Sequence, residues 1–278
     1  MPTTAPENTQ TALLQAEIQR LRTLLDQAGI DWRPQPYPQP AAAQQTGKTM
    51  SAEAKIALFR QLFRGREDVY PLRWQSRQDK AGYSPACANE WQAGVCGKPK
   101  IKCSTCPNRR FLPLTEQTVY RHLAGLHTIG IYPLLPDDTC YFLVMDVDKG
   151  DWQADAAAVV YSCRELQIPV SVEQSRSGNG AHLWWFFADA VPASLARQLG
   201  AALISHTCRQ TRQLSLQSYD RLFPNQDTLP KGGLGNLIAL PLQKQPRAQG
   251  YSEFVDEYFR PFADQWAYLR SIKPFKAA

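Results

Sequence analysis

The chain has 278 residues, 44% of them hydrophobic, which is enough for a full catalytic domain and a smaller appendage. Lys and Arg exceed Asp and Glu by 31 to 25, and the net charge of +6 suits a phosphate-bearing partner without demanding one. No apolar run reaches the roughly 18 residues of a membrane span and no apolar signal segment opens the chain, so the expectation is a cytoplasmic protein without a membrane partner. In that compartment the seven cysteines read as thiols or metal ligands, not disulfides.

The first 30 residues carry an amphipathic helix over 11–30. Leu14, Ile18, Leu21, Leu25 and Ala28 follow alternating steps of four and three, the seam of a coiled coil. Fewer than three heptads are present, so self-association through 11–30 and docking on the chain's own domain both stay open. Residues 31–50 form a linker in which Pro34, Pro36, Pro38 and Pro40 alternate with other residues. A second helix starts at the cap Ser51, carries Ile56, Leu58, Phe59, Leu62 and Phe63, and breaks near Gly65. Arg60, Arg64, Arg66 and Arg73 around it read as a solvated face.

Cys87, Cys96, Cys103 and Cys106 follow as C-x8-C-x6-C-x2-C. Four thiolates suit a tetrahedral structural Zn²⁺, the C-x2-C pair being its tight knuckle, and the segment has too few apolar residues to fold without a staple. An iron–sulfur cluster is the alternative that thiolates alone leave open. Lys98, Lys100, Lys102, Arg109 and Arg110 crowd the knuckle, so a grip on a phosphate backbone stands beside the purely structural role. Cys140, Cys163 and Cys208 read as core residues.

From residue 140 the pattern is regular. Tyr141–Val147 reads as a strand, Asp151 caps a helix through Leu166, and Pro169–Gln174 and Ala181–Phe187 are strands. A helix from Pro192 to about Arg212 carries Leu195, Leu199, Leu203 and His206, and Asn236–Leu240 is the fourth strand. This is the βαββαβ order of an RRM-like, α+β half. Its topology gathers Asp146, Asp148, His182, Asp220 and the loop with Asn225, Gln226 and Lys231 at one sheet end, with Asp227 a rival of Asp220. Clustered carboxylates repel unless divalent cations neutralise them, and two Mg²⁺ or Mn²⁺ ions held there suit nucleotidyl transfer. The loop Ser175–His182, with Arg176, Ser177, Gly178, Asn179 and Gly180, offers a cradle for a triphosphate. A plain RNA-recognition module would instead use Tyr141, Phe142, Trp184 and Phe186 to stack bases.

At these residues the sequence strongly resembles the archaeo-eukaryotic primase superfamily. Its three motifs appear as MDVD (145–148), SRSGNGAHLWW (175–185) and SYDRLFPNQD (218–227). The resemblance is closest to primase-polymerase domains of bacterial TOTE conflict systems and their CRISPR-associated relatives. It extends through KIALFRQLFRGREDVYPLRW (55–74), CANEWQAGVCGKPKIKCSTCPNRRFLP (87–113) and GGLGNLIALPLQ (232–243), and covers roughly residues 50–270. The resemblance implies that Asp146, Asp148 and Asp220 bind the catalytic metals and that Ser177 and His182 hold the triphosphate. Arg176, Asn225, Gln226 and Lys231 follow as second-rank nucleotide contacts.

It further implies an N-terminal αβ part over 51–139 with the zinc knuckle at 87–106, beside an RRM-like catalytic half and C-terminal tail over 140–278. The implied activity is a template-dependent DNA primase-polymerase, with single-stranded DNA template, primer and nucleoside triphosphates as partners. Such proteins usually continue into a helicase module, and this chain stops at Ala278, so an excised domain and a stand-alone relative are both expected forms. Two rivals are weighed against the polymerase. A non-catalytic nucleic-acid-binding module of the same fold has no use for the intact acid set, and a metal-dependent nuclease has none for the glycine–histidine loop.

Overall fold

The computed structural model describes residues 7–29, 50–76, 78–210 and 219–276. The chain divides into two compact units, Met1–Gly47 and Lys48–Ala278. In the first, α1 (Glu7–Gln27) carries an exposed Arg20–Glu17 ion pair at 2.7 Å, with Leu21 and Leu24 exposed and Leu25 half-buried. The side chains of Leu14 and Ile18 and the linker from 31 to 49 lie outside the described residues.

The second unit opens with α2 (Ala52–Leu62), where the Ser51 hydroxyl accepts from the Ala54 N–H as the expected cap. An antiparallel hairpin of β1 (Pro71–Gln75) and β2 (Ala81–Pro85) follows, then α3 (Glu116–Leu123) and β3 (Gly130–Ile131). The remaining elements are β4 (Thr139–Asp148), α4 (Trp152–Glu165), β5 (Ser171–Gln174), β6 (Gly180–Pro192), α5 (Ala193–Gln210) and β7 (Tyr219–Phe223). Beyond them come β8 (Ile238–Ala239), α6 (Lys244–Arg247), β9 (Phe254–Val255) and α7 (Gln265–Ser271). Asp151 caps α4 as its sequence predicts, accepting from the Ala154 N–H.

The main sheet has the order β7-β4-β6-β5-β9 with every neighbouring pair antiparallel. From β4 to β7 the chain runs strand, helix, strand, strand, helix, strand, and the fourth strand is not the expected one. Tyr219–Phe223 takes the place beside β4, whereas the stretch expected there supplies only β8, which pairs with β3 in a separate two-stranded sheet. The apolar run of 237–242 is buried through Ile238, Leu240 and Leu242 against the N-terminal elements, so its hydrophobicity reports core packing, not membership of the sheet. The expected tail is also structural: β9 lengthens the sheet beyond β5, and Leu269 of α7 is fully buried.

Alternation along the strands sorts the side chains to two faces. Leu143, Met145, Val147, Leu183 and Trp185 pack with Ala156, Val159 and Cys163 of α4 and with Ala196 and Leu203 of α5. Phe142, Val144, Trp184, Phe186, Phe223 and Phe254 pack on the other face with Phe59, Leu62 and Phe63. Phe63 meets the Trp184 ring edge-on at 5.1 Å. The arginines expected on a solvated face are partly tied into this layer. Arg64 donates to the Ala188 carbonyl and lies 3.8 Å over the Tyr141 ring, and Arg66 pairs with Asp68 and donates to the Gly233 carbonyl. Among the described residues no helix is long and apolar enough to cross a membrane.

Candidate active site

The face that carries Phe142 and Val144 continues along β4 to Asp146 and Asp148, so two carboxylates stand where the apolar core ends. Register places Asp146 opposite His182 and Asp148 opposite Gly180. A Cβ on Gly180 would lie 2.4 Å from the Val147 carbonyl oxygen, so only glycine lets β6 start this close to β4. On the other side Arg221 faces Asp146 and Tyr219 faces Val147, with the register shifting between them. Asp220 is the extra residue of that bulge, a device that re-aims a side chain at a sheet edge.

Burial pushes the Asp146 carboxyl above the usual range, and the nearby Asp220 and Asp148 add to the rise while His182 and Arg221 oppose it. Asp220 is engaged by its neighbour Arg221 at 2.7 Å and 3.2 Å. Among the described residues no group of three His, Cys, Asp or Glu side chains is drawn together tightly enough to hold a metal ion as it stands. The chemistry of the donors nonetheless fits: three carboxylates, mutually repelling at one sheet end, are the oxygen ligands that hard divalent cations take.

His182 is buried, and its Nδ1 lies 2.5 Å from Glu173 Oε2 while Nε2 lies 3.7 Å from Asp146 Oδ1. Burial pulls this imidazole down, but the Glu173 carboxylate, with Asp146 and Asp148, holds it above its ordinary value. Glu173 is absent from the residues that motif reasoning selects. The signal was present in the hairpin itself: pairing Gln174 with Ala181 across the loop sets Glu173 directly opposite His182.

Between them the loop 175–179 turns back on itself. Gly178 has a φ of 78° and its N–H bonds the Ser175 carbonyl, while Asn179 N–H bonds the Ser177 hydroxyl. Two of the loop's N–H groups are therefore engaged within it, so the expected cradle rests more on side chains than on backbone. Arg176 is half-buried, and its Nε is buried without a hydrogen-bond partner among the described residues. With Ser177, Gln245, Gln249 and Tyr251 it lines a polar cavity of about 210 Å³. Burial lowers the Arg176 pKa, and the like charge of Arg73, from the β1–β2 hairpin, lowers it further.

Asn225, Gln226 and Lys231 do not join the acids. The chain leaves β7 beyond Phe223, which faces Val144, and travels away from Asp146. Asp227 pairs with Arg197 of α5, and Leu229 N–H bonds Asp138 just before β4 begins, at the opposite end of that strand from Asp146. Because Asp220 lies in the fourth strand instead of the loop before it, the loop residues are carried to the far sheet end. Asp227 is thereby removed as a rival to Asp220. Phe142, Trp184 and Phe186 are buried in the core, so they present no surface on which bases can stack.

Cys87, Cys96, Cys103 and Cys106 all line one cavity of about 20 Å³, room for a single water-sized occupant. The Arg110 N–H lies 3.3 Å from Cys87 Sγ, the kind of donor that supports a metal-bound thiolate. Four thiols are a donor set whose chemistry suits Zn²⁺, but like the carboxylates they are not drawn together tightly enough to hold an ion as they stand. Arg109 ties the module to the rest of the unit through the Gly232 carbonyl at 3.2 Å. Cys140 and Cys163 are buried, and burial pushes both thiols up to about 12, whereas Cys208, expected in the core, is only half-buried.

Residues 54–278 match the family described as TOTE conflict system, Archaeo-Eukaryotic Primase domain. The chain belongs to this family. Among solved structures, the primase-family chain is similar to one described as the polymerase domain from Mycobacterium tuberculosis ligase D in complex with DNA. The identity is 12%, the TM-score 0.40, and the match covers 82% of this chain and 86% of that one. No curated protein matches it.

Proposed function

We propose that this chain is a template-dependent DNA primase-polymerase, which transfers nucleotidyl groups from nucleoside triphosphates to a 3′-hydroxyl on single-stranded DNA. The observation that carries the reading is the row Asp220, Asp146, His182 at one sheet end, with Asp148 beside it and a loop bearing Arg176 and Ser177 above. Membership of the primase family supports the same chemistry.

In this account Asp146, Asp148 and Asp220 hold two divalent cations, Mg²⁺ or Mn²⁺, which when bound lower the pKa of the attacking hydroxyl and neutralise charge on the triphosphate. The protein's own groups do the placing. His182 offers an Nε2–H to a phosphate oxygen, Ser177 its hydroxyl, and Arg176 with Arg73 a pair of guanidiniums near enough to feel each other's charge. Held at several oxygens, the α-phosphorus is aligned for in-line attack, and that orientation replaces a costly loss of freedom in the reaction step. Gly178 and Gly180 let the loop and the start of β6 approach without a Cβ in the way. Cys87, Cys96, Cys103 and Cys106 hold one structural Zn²⁺, and the exposed Lys100, Lys102 and Arg110 on that module contribute phosphate-backbone contacts.

The test is incorporation of labelled nucleotides on single-stranded DNA of defined sequence, with Mg²⁺ or Mn²⁺, with and without a primer. Product complementary to the template is expected. Products that ignore template sequence, or shortening of the DNA, would show a transferase without template or a nuclease.

A further inference from the structure

We propose that Glu173 is a positioning residue for the triphosphate site: its buried carboxylate fixes the His182 ring so that Nε2 is the nitrogen offered to the phosphates. The inference rests on the polymerase reading and extends it to a side chain outside the three motifs.

The geometry leaves Glu173 little else to do. It is 1% exposed, so it has no surface from which to touch a cation, a phosphate or DNA. Among the described residues, its side-chain hydrogen-bond partners are all donors inside the protein. His182 Nδ1 is at 2.5 Å, Trp184 Nε1 at 3.4 Å on the same oxygen, and the Ser252 hydroxyl at 3.4 Å on the other. A buried carboxylate is costly unless such donors surround it, so the site is built around the charge. An ionised carboxylate only accepts hydrogen bonds, so Nδ1 donates in this contact, and the ring is turned so that an N–H on Nε2 is the donor a phosphate oxygen would meet. That leaves Nε2 on the far side of the ring, facing Asp146 and the site.

The ladder sets the contact as much as the side chains do. Glu173 and His182 are directly opposite on β5 and β6, and the Trp184 ring stands edge-on to the imidazole at 6.1 Å. The ring is thus gripped at Nδ1 and along one edge before any ligand arrives, which is how a site avoids ordering its groups at the moment of binding. The bland alternative is a buried pair that only holds β5 to β6. Both schemes predict lost stability on mutation, so the test reads ligand binding.

The experiment titrates the zinc-loaded chain with a non-hydrolysable deoxynucleoside triphosphate and Mg²⁺ by calorimetry, beside binding of a single-stranded oligonucleotide and thermal melting. The variants are Glu173→Gln, Glu173→Asp, His182→Ala and the double variant Glu173→Gln/His182→Ala. Glu173→Asp keeps the charge and withdraws it by one methylene, so it stands in if the glutamine form folds poorly. Either single Glu173 variant is expected to weaken triphosphate binding about tenfold with oligonucleotide affinity unchanged, a loss of one charge-assisted contact's worth. The double variant should bind no more weakly than His182→Ala, because Glu173 acts only through that ring. Triphosphate binding at wild-type strength in both Glu173 variants, or additive losses in the double variant, overturns the positioning role alone. A wild-type chain that binds oligonucleotide but no triphosphate overturns the polymerase reading and this inference with it.

Discussion

His122 and His182 are buried to a similar degree, yet their surroundings differ in kind. His122, on α3, lies among backbone groups: Ile129 N–H donates to its Nδ1 at 3.2 Å, and its Nε2 reaches the Pro241 carbonyl at 2.9 Å. With Nδ1 accepting, Nε2 carries the hydrogen and the ring is neutral, and burial lowers its pKa to about 4. His182 has carboxylates at both nitrogens, one deep in the sheet and one at the site, and they hold its pKa up despite burial. Burial alone therefore says nothing about function. What separates a histidine that closes a core from one that meets an anionic ligand is whether a ring nitrogen is left facing a charged, open edge.

The largest expected effect lies beside His182. Asp146→Ala and Asp148→Ala should each reduce synthesis about 10³-fold, the several kcal/mol of charge stabilisation that a lost cation position removes. Oligonucleotide binding and melting should hold, since neither carboxylate carries the core. Wild-type turnover in both variants would end the assignment of this sheet end as the active site.

Substituting each histidine in turn separates the two roles. His182→Ala should raise the KM for nucleotide about 10- to 100-fold in the folded fraction. Its melting temperature should also fall, because Glu173 is left buried without its main donor. His122→Ala should lower the melting temperature by about 5–10 °C, leaving Ile129 N–H and the Pro241 carbonyl unpaired, while the folded fraction keeps its KM. Kinetics that fall with His122 and stay normal with His182 would reverse the roles.

Cys103→Ser tests a region apart from both histidines. Metal analysis should find about one zinc per wild-type chain and much less in the variant, with a lower melting temperature. A chain that contains no metal and keeps its fold under chelation would remove the zinc assignment, and an iron–sulfur absorption band would replace it.

The smallest effect is a pH dependence. His122 has a folded pKa of about 4, below its ordinary 6.5, so the unfolded chain binds the extra proton first. Its contribution is fully present above pH 6.5 and is lost as pH falls toward 4. A melting curve followed across that window should drop by a few degrees, and His122→Gln should flatten the drop. An equal slope in the variant would mean that other groups carry it.

Much of this arrangement was legible in the sequence where the cause is local. Asp151 and Ser51 announce their helices because a cap needs only the next few residues. Asp146, Asp148 and His182 were placed together because strand alternation and an antiparallel neighbour suffice. The fourth strand was not legible: β7 buries only Leu222 and Phe223, and Asp220 and Arg221 interrupt its apolar pattern at the sheet edge. That single displacement moved Asn225, Gln226 and Lys231 from the expected site to the far sheet end. Glu173 stayed hidden for a different reason. A lone acid in a short strand looks like a surface residue until register sets its partner across the hairpin.

The decisive measurement is incorporation of labelled nucleotide on a primed single-stranded template by the wild-type chain and by Asp146→Ala, at matched folded concentration with Mn²⁺. Template-complementary extension is expected from the wild type and about 10³-fold less from the variant. Equal extension by both, or none by a folded, zinc-loaded wild type, would contradict the polymerase reading.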